Sequence, residues 1–405
     1  MKKRFINNSL LVILDTFLNL AMNFVIIILI AKYVEVELLG QYQLYITVIG
    51  LSAILANFGI NVIINREIAK NPNKVNLYIS NVLTIRFFIS LPLLFIISTL
   101  VFYISGFSNI YLFFLVLVLN FLLSISSIFG GVFNSLHKNS YQLKMNLIYK
   151  TFSLMCAFLF LTLGSNLYMV ISSFIIVSII SNLYAWIVLH NLYSSLSFRY
   201  DKRFIKKIIL TSLPLVFASF TEFLSLKVDT YMIGIMIDEK SVGYYSVSYN
   251  LFLGATLIPL AVTKVFFPNF IDMYSKDKNQ ANKFILKIGF LFTVYAFWVG
   301  AVFYFLNYQI MDIFYDVEKF FPSIDVIKYL SFALIFIVLN RLYNYALLAL
   351  KYNNYYFRIS LITAIINILL NISLIPKYGI NGAVYATIIS EFVLMILSIG
   401  KFYVK

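Results

Sequence analysis

Twelve stretches of this chain stay apolar, each for about the 17–25 residues that a helix needs to cross a bilayer core. They fall near positions 9–31, 41–63, 78–104, 110–133, 147–164, 168–190, 208–236, 242–268, 284–306, 324–350, 355–374 and 380–400. Hydrocarbon offers no hydrogen-bond partners, so a backbone crossing it must satisfy its own N–H and C=O groups, and a continuous apolar run does so as a helix. Barrel strands would instead alternate polar and apolar residues over about ten positions. Only 12% of the 405 residues are charged and 62% are hydrophobic, against about 25% charged in a soluble domain. The expected fold class is all-α integral membrane, with twelve transmembrane helices.

The positive charges orient these helices. With the N-terminus cytoplasmic, inside segments hold 22 of the 31 Lys and Arg, outside segments hold 5, and Arg86, Lys227, Lys264 and Arg341 lie within helices. Cytoplasmic loops carry the excess of Lys and Arg, so both termini are expected on the cytoplasmic side. The net charge of +15 is read through this rule, and no nucleic-acid partner is expected. The first run follows Lys2, Lys3 and Arg4 but is too long for a signal-peptide core, so it is read as a retained first helix. A single cysteine, Cys156, and two histidines, His137 and His190, exclude an internal disulfide and a histidine-built metal site. No Walker motif or glycine-rich nucleotide loop is found, so no cofactor is expected.

Two segments recur. Gly40-Gln41-Tyr42 opens the second run and Gly243-Tyr244-Tyr245 the eighth; Leu136-His137-Lys138-Asn139 follows the fourth and Leu350-Lys351-Tyr352-Asn353 the tenth. Six helices is an even number, so the two halves share one in–out sense and form a parallel repeat. Lobes 1–200 (helices 1–6) and 201–405 (helices 7–12) around a central cavity are the expected organisation.

Lys32-Tyr33-Val34 through Gly40-Gln41-Tyr42, Asn57-Phe58-Gly59-Ile60-Asn61 with Asn65-Arg66-Glu67, and Pro376-Lys377-Tyr378-Gly379-Ile380-Asn381-Gly382-Ala383 resemble signatures of the polysaccharide transporter family. That family belongs to the superfamily of multidrug, oligosaccharidyl-lipid and polysaccharide exporters. Glu35 and Val36 replace its Gly-Pro, and Val384 replaces its second alanine. The resemblance implies a bacterial inner-membrane flippase. Its cargo would be undecaprenyl-diphosphate-linked oligosaccharide, of O-antigen type in lipopolysaccharide biosynthesis, moved from the cytoplasmic to the outer leaflet by alternating access. Membrane lipid and the polymerase and chain-length proteins of the same pathway would be its partners.

Moving a sugar through hydrocarbon costs about 2–7 kcal/mol for each unpaired hydroxyl, so such cargo needs a polar path. Four-residue spacing puts Asp15, Asn19 and Asn23 on one helix face, Asn57, Asn61 and Asn65 on another, and Thr363, Asn367 and Asn371 on a third. With Asn340 and Asn344 these are candidates to face sugar, or else to bond helix to helix. Arg341, Lys227 and Arg86 are candidates for the diphosphate, because cations suit phosphate oxygens. Their alternative roles are an ion pair with Glu222, Asp229 or Glu391 for the first two, and snorkelling for Arg86. Asp15, Glu222, Asp229 and Glu391 are candidate cavity acids or ion-coupling groups. An ion-coupled drug exporter of the same superfamily is the competing function. A membrane-embedded polysaccharide polymerase would need a large outer loop carrying Arg and His, and the outer loops here are short and lack histidine.

Overall fold

A computed structural model describes residues 2–193 and 200–403, without the side chains of residues 2–13 and of scattered helix positions that include Glu222, Ser225 and Lys264. Among the described residues all regular structure is helical: α1 (Lys2–Tyr33), α2 (Val36–Asn57), α3 (Ile60–Lys70), α4 (Val75–Ile85), α5 (Leu91–Ile104), α6 (Ile110–Ser135), α7 (Asn139–Thr162), α8 (Leu167–Tyr193), α9 (Lys202–Met236), α10 (Glu239–Ala255), α11 (Leu257–Lys276), α12 (Lys278–Phe305), α13 (Asn307–Phe314), α14 (Phe321–Ala349), α15 (Asn353–Tyr378) and α16 (Ile380–Tyr403). A 3₁₀ turn (Pro72–Lys74) precedes α4, and a π-helical stretch (Arg86–Ser90) joins α4 to α5. Every one of the twelve apolar runs is helical. Ten are long and apolar enough to span by length and composition among the described residues, and the described part of α1, Phe17–Tyr33, is a shorter apolar helix. The chain is a multi-pass, all-α membrane protein.

Contacts divide it into two units, Met1–Val34 with Gln41–Phe220, and Glu35–Gly40 with Thr221–Lys405. In the first, α7 packs on α1 and α8, and α6 on α8 and α3. In the second, α14 packs against α10, α11, α12 and α16, and α15 against α16. Ser248 and Ser323 lock α10 to α14 reciprocally: Ser248 Oγ donates to the Ser323 carbonyl at 2.6 Å and Ser323 Oγ to the Tyr244 carbonyl at 2.8 Å. Within this second unit the opening turn of α2 lies against that of α10. A Cβ on Gly40 would overlap the Glu239 carbonyl oxygen, and one on Gly243 the Val36 carbonyl oxygen. Each glycine therefore sits four residues after the carbonyl that the other touches, and the recurring Gly-x-Tyr segments mark this close crossing.

Helix interruptions have local causes. Phe58 and Gly59 both take positive φ (52° and 59°), which divides the second run into α2 and α3. Between α10 and α11, Pro259 has no N–H to return to the Ala255 carbonyl, as any proline in a helix leaves the carbonyl four residues back unpaired. Tyr295 of α12 repairs this, its hydroxyl donating to Ala255 O at 2.7 Å. An unpaired buried carbonyl costs about 1–3 kcal/mol. Tyr295→Phe is therefore expected to lower the thermal unfolding midpoint of the purified protein, whereas Phe297→Leu, on an exposed face of the same helix, leaves it nearly unchanged. Equal midpoints for Tyr295→Phe and the parent chain would contradict the repair.

Candidate functional site

Charged groups inside the helices meet amides and hydroxyls. Asp15, 6% exposed on α1, accepts from Asn19 Nδ2 at 2.9 Å, from Asn146 Nδ2 at 2.9 Å on both carboxylate oxygens, and from Gln142 Nε2 at 3.2 Å. Asn23 on the same face accepts from Lys150 Nζ. The polar stripe of α1 thus faces α7. It is met there by Gln142, Asn146 and Lys150, which repeat at the same four-residue spacing.

On the neighbouring elements Arg86 is 1% exposed. It opens the π-helical stretch, an irregularity frequent at functional sites. Its Nη2 donates to Asn61 Oδ1 at 2.9 Å, and Asn61 Nδ2 donates to Ser127 Oγ at 2.7 Å. Arg86 Nε and Nη1 are buried with no partner among the described residues. A side chain so enclosed does not snorkel, which would put its head in water. Asn57 ends α2 half-buried, outside these bonds.

The second unit builds a denser cluster. Asp229 of α9, 5% exposed, accepts from Asn371 Nδ2 of α15 at 2.7 Å, Thr387 Oγ1 of α16 at 2.6 Å and Tyr245 OH of α10 at 3.2 Å. Asn371 Nδ2 also lies 3.0 Å from Asn367 Oδ1, and Asn367 Nδ2 donates to Ser390 Oγ at 3.3 Å. One turn beyond Thr387, Glu391 accepts from Asn340 Nδ2 of α14 at 2.7 Å. Asn344 pairs with Ser398 at 2.8 Å. The α15 stripe therefore bonds helix to helix, as does Asn344. Around Asp229 the partners are all neutral, and the buried Asn371 Oδ1 has no partner among the described residues. Among the described residues no group of three or more His, Cys, Asp or Glu gathers to hold a metal ion.

Lys227 comes to an aromatic ring that also lies in the field of Arg341. Lys227 Nζ stands 5.8 Å from the centre of Tyr249, which stacks on Tyr245 at 5.4 Å, and the charges of Arg341 and Glu391 both act on Tyr249. Neither cation forms an ion pair with Asp229 or Glu391. Among the described residues the ion pairs are Arg66–Glu67, Lys70–Glu67 and Lys276–Asp272, all with solvent-exposed cations. The hydrogen bond from Lys70 holds the Glu67 carboxyl below its ordinary range. Glu222, the fourth candidate acid, lies outside the described side chains.

Sequence reasoning missed Gln142, Asn146, Thr387 and Tyr245, and counted Lys150 only as a cytoplasmic charge. The four-residue spacing on α7 was a usable signal. Tyr245 lies in the recurring Gly-x-Tyr segment and Thr387 in the C-terminal stretch that resembles the family, but neither carries a charge, so neither stood out as a site residue.

The profile of the family described as "Polysaccharide biosynthesis protein" matches residues 5–274. The chain belongs to this family. Among curated relatives, it is 29% identical over 167 residues to "Probable flippase AglR" of Haloferax volcanii, covering 40% of this chain and 34% of that one. It is 26% identical over 193 residues to "Capsular polysaccharide biosynthesis protein CapF" of Staphylococcus aureus, covering 47% and 48%. The match thus spans about a third to a half of the length of these relatives. Among solved structures, an inward-facing MATE family multidrug resistance transporter of the MOP superfamily aligns with TM-score 0.74 at 12% identity over 95% of this chain and 94% of that one. "Lipid II flippase MurJ" in an inward closed conformation aligns with TM-score 0.70 at 17% identity over 96% and 86%. The fold is that of MOP-superfamily transporters.

Asn371 is the donor that ties Asp229 to α15. Asn371→Leu is expected to destabilise the protein by about 1.5–3 kcal/mol, the scale of one hydrogen bond to a charged group. Adding Asp229→Asn should recover much of that loss, because no charge is then left unmatched. Additive effects of the two substitutions on the thermal midpoint would contradict the coupling.

Proposed function

We propose that this protein is a flippase that carries undecaprenyl-diphosphate-linked oligosaccharide repeat units, of O-antigen type, from the cytoplasmic to the outer leaflet of a bacterial inner membrane. It works by alternating access of halves 1–200 and 201–405, with both termini cytoplasmic. One observation carries the reading. Arg86, Lys150, Lys227 and Arg341 lie within long apolar helices, and none has a carboxylate within 4.0 Å among the described residues. Ionisable residues at such depth are expensive and mark substrate paths by default. A cation without a counter-charge is ready for an anion that arrives and leaves, and a diphosphate is such an anion. Membership in a polysaccharide biosynthesis family and a curated relative named as a flippase support the same cargo class.

The carrier moves its cargo without altering it, and the polymerase and chain-length proteins of the pathway would take it up on the outer face. A membrane potential negative inside favours outward movement of anionic cargo by about 2.3 kcal/mol per charge per 100 mV. The oxygen cluster on Asp229 supplies a place for a counter-moving proton or cation, with Asp15 and Glu391 as further acids. That cluster also suits an ion-coupled drug exporter, which is the second reading.

Complementation separates the two. In a bacterial strain lacking its own repeat-unit flippase, this chain is expected to restore surface polymer, and a drug exporter would not. Charge-assisted hydrogen bonds contribute about 1.5–3 kcal/mol each, so Arg341→Ala and Lys227→Ala should each reduce polymer about tenfold or more at equal expression. Restored drug resistance without polymer would overturn the proposal.

A further inference from the structure

The first unit holds a half-open cavity of about 280 Å³, lined among others by Asn19, Ser126, Ser127, Gln142, Tyr149 and Lys150. That is some twenty times the ~10–15 Å³ needed to hold one water, so the space suits a small polar ligand. Its walls come from α1, α6, α7 and α8.

The hydrogen-bond directions fix what the walls can offer. From Arg86 the donors run outward through Asn61 to Ser127 Oγ. Ser127 thus receives a hydrogen bond and keeps its own hydroxyl proton to donate. Ser126 Oγ donates to Asn182 Oδ1 at 2.9 Å, which leaves its lone pairs to accept. Gln142 spends its amide nitrogen on Asp15, while its Oε1 is buried with no partner among the described residues. The wall therefore presents donors and acceptors side by side, as the hydroxyls of a sugar require. Tyr149 adds an aromatic ring, with Lys150 Nζ 5.1 Å from its centre, and Gly130 adds bare backbone.

The electrostatics are one-sided. Asp15 has both oxygens occupied by the amides of Asn19, Gln142 and Asn146. Lys150 is held by the neutral oxygen of Asn23 and by no carboxylate among the described residues. Its ammonium has three donors, and Asn23 takes one. A neutral sugar would leave that charge unmatched.

We propose that this cavity is a subsite for an acidic sugar of the cargo, with Lys150 on the sugar carboxylate, Ser126 and Ser127 on ring hydroxyls, and the ring face against Tyr149. This deepens the reading of the protein as a carrier of lipid-linked oligosaccharide and rests on it: the repeat unit would contain a uronic acid. The lipid diphosphate offers the same anionic oxygens, so the test must tell the two apart.

The full chain in nanodiscs is titrated by ligand-observed NMR with methyl glucuronide, methyl glucoside and inorganic pyrophosphate, as wild type, Lys150→Met and Lys150→Arg. Lys150→Gln, which can still donate to Asn23, replaces Lys150→Met if that variant does not fold. The glucuronide is expected to bind at least tenfold more tightly than the glucoside. Lys150→Met should abolish that preference, and Lys150→Arg should keep it. Binding of pyrophosphate without glucuronide, or a glucuronide preference that survives loss of the Lys150 charge, would overturn the subsite. Because this is binding of soluble probes, restored polymer with no glucuronide preference sinks the subsite alone. A clear preference with no restored polymer sinks the flippase reading instead.

Discussion

Charge inside an apolar helix bundle is the constraint from which the rest of this molecule follows. Burying an ion costs several kcal/mol unless something compensates it, and the usual compensation is an opposite charge. Here the compensation is neutral. Asp15 is met by three amides, Asp229 by an amide and two hydroxyls, Glu391 by an amide, and Arg86 by an amide. Amides stabilise a charge without cancelling it. These acids and this cation thus sit in defined places without a charged partner within 4.0 Å among the described residues.

This arrangement separates two tasks within one fold. The acids are enclosed by neutral amide and hydroxyl donors that fix their position. The cations keep unused donors, as at Arg86 and Lys150, or face an aromatic ring, as Lys227 does at Tyr249. Cations of this sort suit a bulkier anion. A common fold does not choose between drug and lipid-sugar cargo.

The twelve apolar runs were legible in the sequence because lipid imposes helix on any such run, and the same physics recovered them in the structure. The divided second run was not, since positive φ at Phe58 shows in no periodicity. Within the site, the stripes on α1 and α15 were visible through their four-residue spacing, but spacing does not say what a face meets. The answer, other helices, came from Asn146, Thr387 and Ser390. Lys150 was hidden by its own charge: near a cytoplasmic loop it counted toward orientation, although its helix carries it to a cavity wall. Arg86 differed in the other direction, for its depth in sequence suited snorkelling and its enclosure does not.

The central claim is that interior cations are unpaired and within reach of a water-soluble anion. It is tested most directly by placing single cysteines at positions 341, 227 and 150 in a Cys156→Ser background and measuring their reaction with a small anionic thiosulfonate, against a control at lipid-facing Leu369 (60% exposed in the isolated fold). The account predicts modification at all three interior positions at rates well above the control. Interior cysteines as inert as the control would mean dry helix contacts, and the account would fail.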